Sequence, residues 1–319
     1  MATAAERIKL GSRACLLGEP VRFNAGHKQS QLCSEILARH FDFVALCPEV
    51  AIGLGTPREA IRLVGDPQAP RALGSRHPEL DVTDALDAYG RQIAAELPDI
   101  CGYILMQKSP SCGMERVKVY QHNGASGPGG GRGVFAAALM RARPDLPVEE
   151  DGRLNDPVLR ENFITRVFAY AEWQRLLRQG LTRKALYSFH ARYKYQLTAT
   201  CRQQYQTLGR MLAEAGKAPL EAFAASYFSQ LMNALQQPAS RGSNSNVLQH
   251  IAGYLKRDLN APDKQELQHL ISQYRLGIVP LVVPLALIKH HFRHHPDSYI
   301  AQQAYLQPHP EDLGLRNAL

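Results

Sequence analysis

Short apolar runs alternate with amphipathic stretches through the first half of the chain. Ile8-Lys9-Leu10-Gly11 predicts a strand that breaks into Ser12-Arg13-Ala14-Cys15, and Phe41 to Leu46 a buried strand ending at Cys47-Pro48. Ala60 to Val64 and Gly102 to Met106 predict two more, the latter breaking into Lys108-Ser109-Pro110-Ser111-Cys112-Gly113. Gln31 to His40 and Val82 to Leu97 have helical spacing between them. Such alternation argues for an α/β layer with a mostly parallel sheet. From about Pro157 the period changes. Leu159–Leu177, Lys184–Thr200, Ala218–Leu235, Val247–Leu259 and Lys264–Leu276 carry apolar residues at intervals of three and four, separated by Gly180, the polar Ser240–Ser245 turn and Pro262. The expected fold class is an α/β N-terminal domain followed by an all-α helical domain, over residues 1–175 and 181–319, with the boundary near Gln179-Gly180-Leu181. The one low-complexity stretch, Gly124 to Gly133, reads as a flexible surface loop sooner than as a phosphate cradle, since no Lys-Ser/Thr pair follows its glycines.

Composition narrows the class. With 45% hydrophobic and 21% charged residues in 319, disorder is excluded as the main state. The longest apolar run, Leu276 to Ile288, is 13 residues against the roughly 20 that a bilayer requires. The opening Met-Ala-Thr-Ala-Ala-Glu-Arg has no apolar core for a signal peptide, so a cytoplasmic protein with no membrane partner is expected. Charge is uneven. Residues 181–319 carry +7 and eight of the 12 histidines, whereas residues 1–180 carry +1. A near-neutral half joined to a basic half fits a chemical domain joined to one that holds a polyanion; an ordinary basic surface is the alternative.

The six cysteines form no C-x-x-C pair, and a reducing cytoplasm disfavours a disulfide framework. Cys15, Cys47 and Cys112 nonetheless share a property. Each lies just past the C-terminal end of an expected strand, the edge where open α/β sheets build ligand sites. Three converging thiolates with no fourth suit a zinc with an open position, or a 4Fe–4S cluster with one iron free of cysteine. Three unrelated buried thiols would look the same, and Cys33 and Cys101 read that way. Glu49 and Ser109, two and three residues from these cysteines, would bring a carboxylate and a hydroxyl to the same edge for acid–base work.

In the basic half, His290-His291-Phe292-Arg293-His294-His295 is better read as a polyanion-facing helix than as a metal site, for no acidic or cysteine partner lies near it in sequence. Between Tyr187 and Tyr195, Leu186, Phe189, Tyr193 and Leu197 have core spacing. This leaves Arg183, Tyr187 and Lys194, with Arg293, as candidates for RNA phosphate and base contacts.

Ser12-Arg13-Ala14-Cys15-Leu16-Leu17-Gly18, Cys47-Pro48-Glu49 and Ser109-Pro110-Ser111-Cys112-Gly113 resemble the signature of the thiouracil desulfidase (TudS) family. Pro57-Arg58, Asp81-Val82-Thr83 and Gly152-Arg153-Leu154-Asn155-Asp156 fit the same pattern, over residues 7–172. The second half resembles the YbgA-type helical domain, through Phe189-His190-Ala191-Arg192-Tyr193, Asn246-Val247-Leu248-Gln249-His250 and Tyr274-Arg275-Leu276-Gly277. The resemblance implies a 4Fe–4S cluster on Cys15, Cys47 and Cys112 with one open iron site, a catalytic carboxylate at Glu49 and a catalytic serine at Ser109. It also implies non-redox, hydrolytic removal of sulfur from 4-thiouridine in tRNA, the helical domain holding the RNA, with no role for DNA. Phe23-Asn24-Ala25-Gly26 departs from the Tyr-Asp-Gly of short members, at the expense of free thiouracil as substrate. Desulfuration of free thiouracil and a non-enzymatic iron–sulfur RNA binder or sensor are the rival expectations.

Overall fold

A computed structural model describes residues 7–318. Of the opening residues Met1 to Arg7, from which no leader is expected, all but Arg7 lie outside the described residues. Among the described residues, no helix is long and apolar enough to cross a membrane. The chain forms two compact units, Met1–Asn155 and Asp156–Leu319, so the long helix after Asp156 goes with the second unit.

The first unit is α/β, built on two four-stranded sheets. In the first sheet β1 (Ile8–Arg13), β2 (Phe41–Leu46), β5 (Ile100–Leu105) and β8 (Val148–Glu150) lie in the order β2-β1-β5-β8, every pair parallel. β5 is buried along its whole length, as a central parallel strand covered on both faces must be. Gly11 on β1 is required by the neighbouring strand, because a Cβ there would run into the Tyr103 ring. The second sheet holds β3 (Ile61–Val64), β4 (Arg71–Gly74), β6 (Val117–Tyr120) and β7 (Ser126–Gly131), in the order β4-β3-β6-β7 with mixed directions. The α-helices among the described residues of the unit are α1 (Pro48–Ala51), α2 (Thr83–Glu96) and α3 (Val134–Ala142).

Three local expectations are corrected. The glycine-rich stretch is neither loop nor cradle for most of its length, but the edge strand β7 paired antiparallel to β6. Its glycines serve close packing, since a Cβ on Gly130 would stand 2.6 Å from the Arg116 backbone. Gln31 to His40 is helical but not α: Leu32–Ile36 is a π-turn and Leu37–Arg39 a 3₁₀ turn. The Ser240–Ser245 turn is instead the start of a helix, with Ser240 capping it through the Ser243 N–H in a capping box.

The second unit is all-α, with long helices α4 (Pro157–Gln179), α5 (Arg183–Ala213), α6 (Leu220–Leu235), α7 (Arg241–Ala252), α8 (Ala261–Leu276) and α9 (Val282–His294), and the short α10 (Ser298–Ala301). Asp156 caps α4 by accepting from the Val158 and Leu159 N–H groups. α5 is interrupted at Cys201, whose backbone is extended (φ −151°, ψ 92°). Leu186, Phe189, Tyr193 and Leu197 are buried, as their spacing requires. One core is aromatic, with Trp173 stacked on Phe228 at 4.6 Å; another joins Val247, Ile251, Leu267, Ile271, Leu285 and Ile288 from α7, α8 and α9.

Candidate functional site

β2, β1 and β5 are adjacent and parallel, so their C-terminal ends share one edge of the sheet. Cys15 follows β1 in the 3₁₀ turn Ala14–Leu17, and Cys47 follows β2 as the residue capping α1. Cys112 sits in the turn after β5. That turn is locked onto the start of α3: Val134 and Ala136 N–H groups donate to the Pro110 and Ser111 carbonyls, and Ser109 Oγ accepts from the Cys112 N–H at 3.1 Å. Gly133 is a glycine because a Cβ there would lie 2.5 Å from the Ser111 carbonyl carbon.

Arg13, the last residue of β1, organises the edge. Its Nη1 donates to Cys112 Sγ at 2.9 Å and to Ser111 Oγ at 3.0 Å, and its Nη2 lies 3.5 Å from Glu49 Oε1. Burial works against its charge, but Cys112, Glu49, Cys47 and Cys15 together raise its pKa well above the ordinary arginine value. Glu49, on α1, is buried. Its Oε2 accepts from Arg58 Nε at 2.9 Å and Nη2 at 2.6 Å, and its Oε1 from Ser111 Oγ at 2.5 Å. Desolvation opposes ionisation, yet Arg13, the Ser111 hydrogen bond and Arg58 outweigh it and hold Glu49 below the usual carboxylate value. The Cys112 thiol is pushed up to about 11 by burial, against the pull of Arg13.

Arg13, Cys15, Glu49, Arg58 and Ser109 are among the residues lining a cavity of about 580 Å³, the size of a small-molecule site. Glu49 and Ser109 are therefore placed in one lining, joined through Ser111, whose hydroxyl is 3.0 Å from that of Ser109. Arg13, Arg58 and Ser111 stood in the quoted motifs without a role. The signal for them was an arginine closing a strand two residues before a cysteine, and a second serine beside Cys112.

The donor set is three thiols, the soft donors that iron–sulfur clusters take. Among the described residues, no three His, Cys, Asp or Glu side chains stand together as a metal-ion site. A cluster asks instead for thiolates that each reach a separate iron. Cys15, Cys47 and Cys112 all lie within the electrostatic reach of the buried Arg13 guanidinium, whose Nε is a buried donor with no partner of its own. The guanidinium offsets the charge that three thiolates would bring. Cys33 and Cys101 stay outside this group; Cys33 is buried, with its thiol pushed up to about 11 chiefly by desolvation.

The four RNA candidates fall in three places on the second unit. Arg183 Nε donates to the Ala215 carbonyl and Tyr187 Oη to that of Leu212, both residues being exposed near the start of α5. Lys194, further along α5, has its Nζ 5.0 Å from the Tyr195 ring centroid and 5.5 Å from that of Tyr299. Arg293 is exposed near the end of α9, beside a hollow of about 220 Å³ lined also by Lys289, His309 and Arg316. In the histidine run on α9, the His290 and His294 rings are 4.8 Å apart while His291 is buried.

Known proteins match both units. The family model described as 2-thiouracil desulfurase matches residues 12–151, and that described as a protein of unknown function (DUF1722) matches residues 194–310. The uncharacterized protein YbgA of Escherichia coli (strain K12) is 33% identical over 159 residues, which are 50% of this chain and 94% of that relative. The solved structure of a 4Fe-4S-dependent thiouracil desulfidase, TudS, is 29% identical, with 47% of this chain and 95% of that chain covered and a TM-score of 0.37. The chain belongs to the family of YbgA, and its first unit matches the 2-thiouracil desulfurase model.

Proposed function

We propose that this protein is an iron–sulfur-dependent desulfidase that removes sulfur from 4-thiouridine in tRNA, giving uridine and sulfide without net electron transfer. The observation that carries the reading is the placement of Cys15, Cys47 and Cys112 beyond the ends of three adjacent parallel strands, beside a Glu49–Ser111–Ser109 chain that opens on a cavity. The 2-thiouracil desulfurase match to residues 12–151 supports the reaction, and the +7 charge of residues 181–319 supports a polyanionic substrate. Cys15, Cys47 and Cys112 would hold a 4Fe–4S cluster, with one iron left open. When bound, the cluster supplies a soft Lewis acid for the thiocarbonyl sulfur, which oxygen-preferring groups would not select.

The chain's own residues handle the water and its protons. Replacement of the thiocarbonyl sulfur by a water oxygen releases one hydrogen sulfide, so water protons must travel as sulfur leaves. Arg13 can only donate, so Ser111 Oγ accepts from it. The Ser111 hydrogen goes to Glu49 Oε1, and Ser109 is left to donate to Ser111. The Cys112 N–H donates to Ser109 Oγ and fixes its orientation. A water bound against Ser109 in the cavity passes its proton along Ser109 and Ser111 to Glu49, a relay with one direction. Arg13 and Arg58 keep Glu49 charged and ready to receive it. The base must leave its stack to reach this floor, and the helical unit grips the RNA backbone while it does.

Sulfide release by the anaerobically reconstituted full chain, from thiolated tRNA and from free thiouracil in parallel, tests the reading. Faster release from tRNA is expected. Equal or faster release from the free base would make the base itself the substrate, and iron uptake with RNA binding but no sulfide would leave a binder or sensor.

A further inference from the structure

A hollow in the second unit takes no part in the proposed reaction. It measures about 220 Å³ and lies between α9 and the chain over residues 306–317. That stretch is fastened to the helix: the Val282 N–H donates to the Arg316 carbonyl at 3.2 Å, and Lys289 Nζ pairs with Glu311. Gly314, at φ +60°, turns the chain just before the buried Leu315. On α9 the residues lining the hollow are Val282, Leu285, Ala286, Lys289 and Arg293. They form one helical stripe, apolar at its start and cationic at its end.

The apolar part of the stripe is matched from the other side by Leu306 and Leu315. An engineered apolar cavity of about 150 Å³ holds benzene. At about 220 Å³ this hollow has room for a ring or a short alkyl chain bearing one small polar group. The charges decide what that group is. Arg316 is committed, its Nε donating to Glu161 at 2.7 Å and its Nη1 to the Tyr305 carbonyl at 2.7 Å. Lys289 is committed to Glu311. Arg293 shares the field of Glu311, but it is exposed and among the described residues makes no ion pair. Two of the three cations thus have a carboxylate each, and the third stands uncompensated beside the apolar walls. An RNA phosphate would answer the charge and leave those walls uncovered. A neutral hydrocarbon would cover the walls and leave the charge. A molecule with an apolar body and a single negative group answers both.

We infer that this hollow is a ligand site for a small carboxylic acid, whose ring or alkyl part packs on Leu285, Leu306 and Leu315 while its carboxylate pairs with Arg293. Such a site stands whether or not the first unit is a desulfidase.

Isothermal titration of the full chain with benzoate, benzyl alcohol and acetate tests it, since these carry both features, the apolar body alone and the charge alone. Benzoate should saturate one site per chain with a Kd below roughly 1 mM, at least tenfold tighter than either of the others. Arg293→Ala should weaken benzoate about tenfold, the loss of one charge-assisted contact, and leave benzyl alcohol unchanged. Ala286→Phe fills the hollow and should abolish benzoate binding. Both changes fall at exposed positions of α9, and an unchanged far-ultraviolet circular dichroism spectrum checks that the helices persist. Benzyl alcohol binding as tightly as benzoate would overturn the inference in favour of an apolar hollow alone. Acetate binding as tightly would overturn it in favour of a plain anion patch, of the kind RNA phosphates use. Absence of saturable benzoate binding, or benzoate binding that survives Ala286→Phe, would also overturn it.

Discussion

Both units bury charged and polar side chains, but they do so to different ends. In the first, Arg13, Arg58, Glu49 and Ser111 are bonded to one another beside a cavity of about 580 Å³. In the second, Glu161 accepts from Arg316 Nε at 2.7 Å, Arg316 Nη1 donates to the Tyr305 carbonyl, and Asn244 bridges the Tyr305 and Tyr274 hydroxyls at 2.9 and 3.0 Å. The hollow beside that network is about 40 Å³, room for little more than a water. A buried polar network that closes on itself fixes how helices pack; one that leaves a hydroxyl and a carboxylate facing an open cavity can move a proton. That contrast predicts that changes in the first network cost rate, and changes in the second cost stability.

The largest effect is expected at Glu49. Glu49→Gln keeps the shape and most hydrogen bonds but cannot take a proton, so sulfide release should fall roughly 100-fold or more with iron content unchanged. Because the folded pKa of Glu49 is held below its unfolded value of about 4.3, its charge and the stability it brings persist above that value and are lost as pH falls through the lower folded one. The acid limb of the rate should therefore lie below pH 4.3; a limb near pH 6 would assign the base to another group.

Next comes Ser111, the middle of the proposed relay. Ser111→Ala should slow the reaction by roughly tenfold to 100-fold, and Ser111→Thr, which keeps the hydroxyl, should restore most of it. A solvent isotope effect on sulfide release that disappears in Ser111→Ala would mark proton transfer as lost. An unchanged isotope effect would leave Ser111 as packing alone.

In the second unit the effects should be smaller and structural. Asn244→Leu strands two buried tyrosine hydroxyls and should lower stability by about 2 kcal/mol in a urea titration, with sulfide release from the nucleoside unaffected. The smallest effect is at His190, which lies 3.0 Å from the Tyr227 hydroxyl and is pushed down to about 4 by burial. Its folded pKa is below the unfolded 6.5. Its contribution is thus complete above pH 6.5 and lost as pH falls from there towards 4. Thermal melts across that window should show the loss, and His190→Gln should flatten it.

β5 was legible because a central parallel strand is an apolar run, and β1 and β2 because each ends within two residues of a cysteine in a turn. β7 was not, because glycine has little intrinsic preference for a strand; close approach to β6 and Arg116 puts it there. The break in α5 at Cys201 has no Pro or Gly to announce it. In the site, the order of the thiols could be read from the chain, whereas the bonds of Ser111 to Glu49 and of Arg13 to Ser111 span 62 and 98 residues. Local pattern holds no record of such pairs; only the parallel sheet brings them together.

That the three thiols hold one cluster is the central claim of the account, and iron content after anaerobic reconstitution tests it most directly. Wild type should take up about four irons per chain, as one 4Fe–4S cluster requires. Cys15→Ala, Cys47→Ala and Cys112→Ala should each lose the full cluster, while Cys33→Ala and Cys101→Ala retain it. A full complement of iron in all three of the first variants, or its loss only in one of the last two, would contradict the account.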